Sequence, residues 1–77
     1  MGTQTDWMKT WDEAMTWWRT QDEILQKFIR RVAVIKLIEA GAEEVGSSDV
    51  NHSVHSIYRN YTAHGKPELI TFLLNYN

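Results

Sequence analysis

Asp49, His52 and His55 are the residues whose types and spacing come closest to a chemical site in this sequence. They recur every three positions, so a helix would carry them roughly on one side, as metal ligands often are. No neighbouring acidic pair completes a dinuclear site, and His64 falls in a predicted loop. We therefore interpret the three residues as solvated polar side chains opposite an apolar face, and we predict no metal and no cofactor.

The sequence shows no other arrangement typical of catalysis. It contains no recognisable nucleophile and base pair, no glycine-rich phosphate loop and no carboxylate pair at catalytic spacing. We therefore predict that the protein is not an enzyme and that its function is binding.

Four tryptophans lie within the first eighteen residues: Trp7, Trp11, Trp17 and Trp18. Tryptophan is enriched among the residues that dominate binding energy at interfaces, so this helix is a candidate partner-binding surface. Three of them lie on one side of the helix and are expected to face the fold or a second copy: Trp7, Trp11 and Trp18. Trp17 lies off that side and is predicted to be the most accessible. The alternative is that the indoles are core residues.

A small basic cluster offers a second candidate surface. Arg30 and Arg31 are adjacent, Lys27 lies one turn before them, and Arg59 occurs later in the chain. Such a cluster is usually a solvated face, but it can also bind nucleic acid. We include Arg30 and Arg31 among the predicted partner-binding residues.

Composition limits the classes of function. The chain has 77 residues, no cysteine, 8 basic and 10 acidic residues, and a formal net charge of −2. We expect one helical domain over residues 1–77. The charge does not favour nucleic acid, and no apolar run approaches the roughly 18 residues of a membrane span. The absence of cysteine and of a signal-peptide pattern predicts the cytoplasm. A domain this small, without disulfide bonds or a structural metal, has only marginal stability as a monomer. We therefore expect a homodimer.

The apolar periodicity predicts an all-α bundle of three to four helices. Their expected ranges are 5–19, 21–40, 48–62 and 67–75. Thr5 is the predicted N-cap of the first helix, with Asp6 in its first turn. Thr20 and Glu23 fit a capping box that would start the second. One continuous helix over residues 5–40 remains the alternative, because the apolar spacing runs through position 20.

The second predicted helix has the most apolar sequence and is expected to be the central helix, with Phe28 and Ile35 in the core. Gly41 is expected to end this helix in a left-handed backbone conformation. Ser47 or Ser48 is the expected cap of the third helix, and Pro67 opens the fourth. A β-hairpin pairing residues 54–62 with 69–74 is the alternative for the C-terminal half.

One segment is loosely similar to the DNA-binding helix-turn-helix of tetracycline-repressor-like regulators. It runs from Gly41 to Leu69 and includes Ile57-Tyr58-Arg59-Asn60-Tyr61 and Lys66-Pro67-Glu68-Leu69. The stretch between Val50 and Tyr58 is short for two helices and a turn, so we transfer no residue roles from that family.

Taken from the sequence, the expected function is a small non-enzymatic protein-binding factor, in an accessory or inhibitory role of the kind that phages and mobile elements encode. A nucleic-acid-binding regulator using Arg30, Arg31 and Arg59 is one alternative. A protein that binds an apolar small ligand in a pocket lined by its tryptophans and tyrosines is the other.

Overall fold

The computed structural model describes residues 3–76, with side chains from residue 7 onward. These residues form four helices and no strand, so the predicted all-α fold is confirmed and the β-hairpin alternative is wrong. The helices are α1 (Thr3–Thr20), α2 (Glu23–Glu39), α3 (Ser47–Ala63) and α4 (Leu69–Leu74). Within the described part of the chain, no helix is long and apolar enough to span a membrane.

The chain breaks between α1 and α2, as the more favoured of the two sequence interpretations predicted. The cap, however, is Asp22 and not Thr20: its backbone is extended and its carboxylate accepts the Leu25 N–H at 2.9 Å. Thr20 is still helical, and its hydroxyl donates to the Trp17 carbonyl at 2.9 Å. Aspartate suits this place because its charge also favours the positive end of the helix.

The start of α1 differs from the prediction, whereas the end of α2 agrees with it. Helix α1 begins at Thr3, so the predicted cap Thr5 lies inside it; its side chain and that of Asp6 lie outside the described residues. At the far end, Gly41 adopts the predicted left-handed conformation, with φ 100°. Its N–H reaches the Ile38 carbonyl at 2.9 Å, and the Ala42 N–H reaches that of Leu37 at 3.0 Å. This pattern satisfies carbonyls that would otherwise be unpaired.

Helix α3 shares the central position that the sequence assigned to α2 alone, because α2 contacts the other three helices and α3 makes the most extensive contacts. Helix α3 packs against both α1 and α2, whereas α1 and α2 contact each other much less. Two hydrogen bonds beside the joint link Gln26 of α2 to Trp18 and Arg19 of α1.

A side chain on α3 ties it to α2: the buried Ser53 hydroxyl donates to the Ala33 carbonyl at 3.0 Å. The small serine permits close approach of the two backbones, while Val54 and Ile57 are fully buried beside it.

The start of α3 also differs from prediction. Gly46 is the N-cap, and the predicted caps Ser47 and Ser48 are already helical. The Asp49 carboxylate accepts the Gly46 N–H at 3.2 Å, which helps to fix this turn. Because residues 47–63 form one uninterrupted helix, this segment cannot contain the two helices of a helix-turn-helix motif.

Helix α4 is shorter than predicted, and Pro67 precedes it. Glu68 is its cap, accepting the Thr71 N–H at 2.9 Å and the Thr71 hydroxyl at 2.6 Å. These hydrogen bonds lower the pKa of the Glu68 carboxyl. Leu73 is buried against the bundle, whereas Ile70 and Leu74 point to solvent.

The core draws at least one side chain from each helix. Its buried apolar members are Ala14, Met15, Ile29, Val32, Ala33, Val50, Val54, Ile57 and Leu73. Of the two core residues predicted for α2, Phe28 is half-buried against this cluster, but Ile35 is 43% exposed. The prediction for Ile35 is wrong because α3 covers α2 from one side only.

Candidate functional site

The tryptophans lie mainly against the fold. Trp17 packs on the rings of Tyr58 and Tyr61, with centroids 5.2 and 5.6 Å away. Trp18 donates its indole N–H to the Gln26 carbonyl at 3.0 Å and so ties α1 to α2. The adjacent indoles point in different directions, and each is half-buried by a different neighbouring helix.

Trp7 is the most exposed of the four indoles, at 45%, so the prediction that Trp17 would be the most accessible is wrong. Trp7 stacks on Trp11 at 5.3 Å, and both rings contact the imidazole of His55. Met8, beside Trp7, is also exposed. The accessible part of the tryptophan-rich helix is therefore its N-terminal end.

His55 is the polar residue that sequence reasoning missed. It was predicted to be solvated, yet it is 4% exposed, and its Nε2 has no hydrogen-bond partner among the described side chains. Burial lowers the pKa of the imidazole, and the nearby Arg59 guanidinium and His52 ring lower it further. One signal was present: His55 lies three residues before Tyr58 and so shares the side of α3 that packs on α1.

The described side chains around His55 are not grouped as metal ligands. His52 lies with its ring 4.8 Å from that of Trp11, and the His55 ring is enclosed by two indoles. Among the residues with described side chains, no three His, Asp, Glu or Cys are grouped to hold a metal ion. The imidazoles act here as aromatic packing surfaces.

The outer face of α2, formed by Ile24, Lys27, Arg31, Ile35 and Ile38, is the strongest candidate for a partner-binding surface. Its isoleucines are 79%, 43% and 57% exposed in chain order. Ile24, Arg31 and Ile38 are seven residues apart and therefore lie along one side of the helix. The opposite side carries Ile29, Val32 and Ala33 in the core. Helix α2 thus has two apolar faces, of which only one is covered by the fold.

Basic groups border this face. A groove of about 300 Å³ is lined by Lys27, Arg30, Arg31, Val34 and Ile35. Lys27 pairs with Glu23 across one turn at 3.6 Å, and both side chains are largely exposed. Arg30 and Arg31 form no ion pair with any described residue. The two guanidinium groups are therefore available to carboxylates from outside the chain.

The third arginine considered from the sequence lies elsewhere. Arg59 is on α3 and lines a separate cleft of about 360 Å³ with Ser56, Asn60 and Ala63, which shares no residue with the groove on α2. The predicted nucleic-acid set is therefore divided between two clefts.

A further cleft bears on the small-ligand alternative. It has a volume of about 430 Å³ and lies between the end of α3 and α4. Its lining residues are Asn60, His64, Pro67, Thr71, Phe72, Asn75 and Tyr76. The cleft includes Tyr76 but no tryptophan, so it matches the expected pocket of tryptophans and tyrosines only in part.

No protein-family model matches the chain, and searches of curated proteins and of solved structures give no match either. A function must therefore be inferred from the chain's own residues.

Proposed function

We propose that this protein is a small non-enzymatic factor that binds another protein through the outer face of α2, in an accessory or inhibitory role. The observation that supports the proposal is the exposure of Ile24, Ile35 and Ile38 on one side of a helix whose other side fills the core. Apolar side chains grouped in this way on a small domain commonly mark an interaction site. We retain the cytoplasm as its proposed compartment, because the chain carries no cysteine to pair in an oxidising one.

This proposal moves the binding surface away from the tryptophan-rich first helix favoured by the sequence. Trp17 and Trp18 support the proposal indirectly, because they pack α1 onto its neighbours and so hold α2 in place. Trp7 and Met8 form a smaller exposed patch at the start of α1. Arg30 and Arg31 remain partner-binding residues in the proposal.

A matched pair of variants tests this surface. Ile35 on α2 and Ile70 on α4 are the same residue type and are 43% and 44% exposed. Ile35→Asp should abolish capture of the partner from an extract of the encoding organism, whereas Ile70→Asp should retain it. Circular dichroism must first show that both variants are folded. The captured protein is then purified and titrated against all three forms.

The results of that titration decide the proposal. Loss of binding in Ile35→Asp alone supports the α2 face as the site. Equal binding by both variants, or equal loss in both, contradicts it. A partner lost only by Ile70→Asp would place the binding surface on α4.

Homodimerisation is a separate proposal, which rests on the exposed apolar pair Ile70 and Leu74 of α4. The two side chains are one turn apart, and a second copy could cover both. Light scattering at micromolar concentration should then give twice the monomer mass of 9.0 kDa. A mass of one chain across that range would contradict the dimer and leave the α2 proposal intact.

A further inference from the structure

The outer face of α2 has the spacing of a seam between two helices. Four residues of this face, together with Phe28 at its edge, alternate steps of four and three: Ile24, Phe28, Arg31, Ile35 and Ile38. Phe28 is half-buried against the core, and the pattern is that of helix pairs that pack nearly parallel or antiparallel. The seam spans about four helical turns, or roughly 21 Å. A partner helix of similar length would cover all three exposed isoleucines.

The charge of this seam restricts the kind of partner that can bind to it. Its middle is positive, because Arg30 and Arg31 have no carboxylate partner among the described residues. Glu23, near one end, is already paired with Lys27. Burying unpaired guanidinium groups against an apolar or basic surface would be costly, whereas carboxylates can accept their hydrogen bonds in pairs.

A second copy of α2 fits this seam poorly. In an antiparallel pair that covers all three isoleucines, Ile24 faces Ile38 of the copy and Arg31 faces Arg31. A parallel pair in register also sets Arg31 against itself. Registers shifted by a turn avoid this clash but leave Ile24 or Ile38 outside the contact. Symmetry therefore places like charges at the centre of any complete self-pairing.

Nucleic acid also fits the seam poorly. Phosphate-binding surfaces combine basic groups with polar side chains, and here isoleucines lie on both sides of the arginine. Ile24, at 79% exposure, would stay in water beside a phosphate backbone and gain nothing. A protein helix can satisfy both kinds of residue at once.

We infer that the occupant of the outer face of α2 is an acidic amphipathic helix of a different protein, with apolar residues opposite the isoleucines and carboxylates opposite Arg30 and Arg31. The inference rests on the function proposed above and names the chemistry of the partner. The guanidinium groups would select the partner and set its register, since charge complementarity contributes to specificity and association rate more than to affinity.

Two synthetic peptides test this inference on the full chain. Both are four-turn helices with a leucine seam, and they differ only at the central positions, which are glutamate in one and lysine in the other. Fluorescence anisotropy of each labelled peptide is followed as protein is added. The glutamate peptide should bind at least about tenfold more tightly at low salt, and the gap should narrow as ionic strength rises.

A charge reversal provides the matched control. Arg31→Glu should invert the preference between the two peptides, and Arg59→Glu, the same change on α3, should leave the preference unchanged. Equal affinity for the two peptides, or no binding of the glutamate peptide at the highest soluble protein concentration, would overturn the inference. Tighter binding of a labelled DNA duplex than of the glutamate peptide would overturn it in favour of a phosphate-binding surface.

These outcomes differ from those that would remove the proposed function. If Ile35→Asp alone loses the natural partner but the peptides do not discriminate, the surface stands and the acidic helix is wrong. If the Ile35 and Ile70 variants behave alike, the surface itself is wrong.

Discussion

Ile57 provides the most direct test of the packing described here. It is fully buried on α3, between the helices that pack on either side of it. Ile57→Ala removes three carbons, and at about 0.8 kcal/mol for each buried carbon the lost transfer free energy is about 2.5 kcal/mol. Incomplete collapse of the cavity adds about 1 kcal/mol more. The expected loss of about 3–4 kcal/mol is a large part of the roughly 4–12 kcal/mol expected for a domain of this size.

Urea denaturation followed by circular dichroism measures this loss, at one fixed protein concentration in case the chain associates. The control is Ile24→Ala, the same change on α2 at a side chain that is 79% exposed, which should alter the free energy of unfolding by less than about 0.5 kcal/mol. A loss below about 1 kcal/mol for Ile57→Ala would refute the central position of α3. A comparable loss for Ile24→Ala would show that the outer face of α2 is covered in the isolated protein.

Three further predictions concern α1, the joint and the buried histidine. Trp17→Ala should reduce the free energy of unfolding by about 2 kcal/mol, and by more than Trp7→Ala does, because Trp17 packs on two tyrosines. A larger loss for Trp7→Ala in urea denaturation would instead favour the expectation from the sequence that Trp17 is the most accessible indole. Asp22→Ala should lower the free energy of unfolding by about 1 kcal/mol, and Thr20→Ala should lower it by less, since Asp22 caps α2. Equal melting temperatures for the two variants would contradict this assignment of the cap. Because the pKa of His55 is lowered in the fold, the unfolded chain takes up its proton first as pH falls below about 6.5, and the free energy of unfolding should decrease there. As pH falls from about 7.5 to 5.5, the free energy of unfolding of His55→Leu should decrease less than that of the wild type. Parallel plots of this free energy against pH for the two proteins would refute this role of His55.

The order and type of the helices could be predicted from the sequence because they depend on local signals. The long stretch without glycine or proline, the glycine at position 41 and the periodic apolar residues act within one or two turns of the chain. The break near residue 20 was also within reach, since a capping pattern lies there. The cap itself was misplaced by two residues, because threonine and aspartate can both serve and only the backbone decides between them.

Burial could not be predicted with the same success because it depends on neighbours from other parts of the chain. Residues 32–38 are nearly all apolar, which is typical of a helix enclosed on most sides. In the structure Ile35 and Ile38 face solvent, since α1 packs on α3 and makes few contacts with α2. His55 shows the converse. Its polar type suggested solvent, yet two indoles from α1 enclose it.

The candidate site lies where the residue types and the fold disagree. Isoleucine is a weaker helix former than alanine, leucine or lysine, so an exposed isoleucine on α2 gains little from local propensity. It also gains little from burial, since Ile24 and Ile38 contribute mostly to the surface. Ordinary selection for stability and solubility would favour charged residues at such positions. Three isoleucines placed there at seam spacing lie beside two arginines that form no ion pair with a described residue. A contact with another molecule explains this arrangement better than the stability of this chain does.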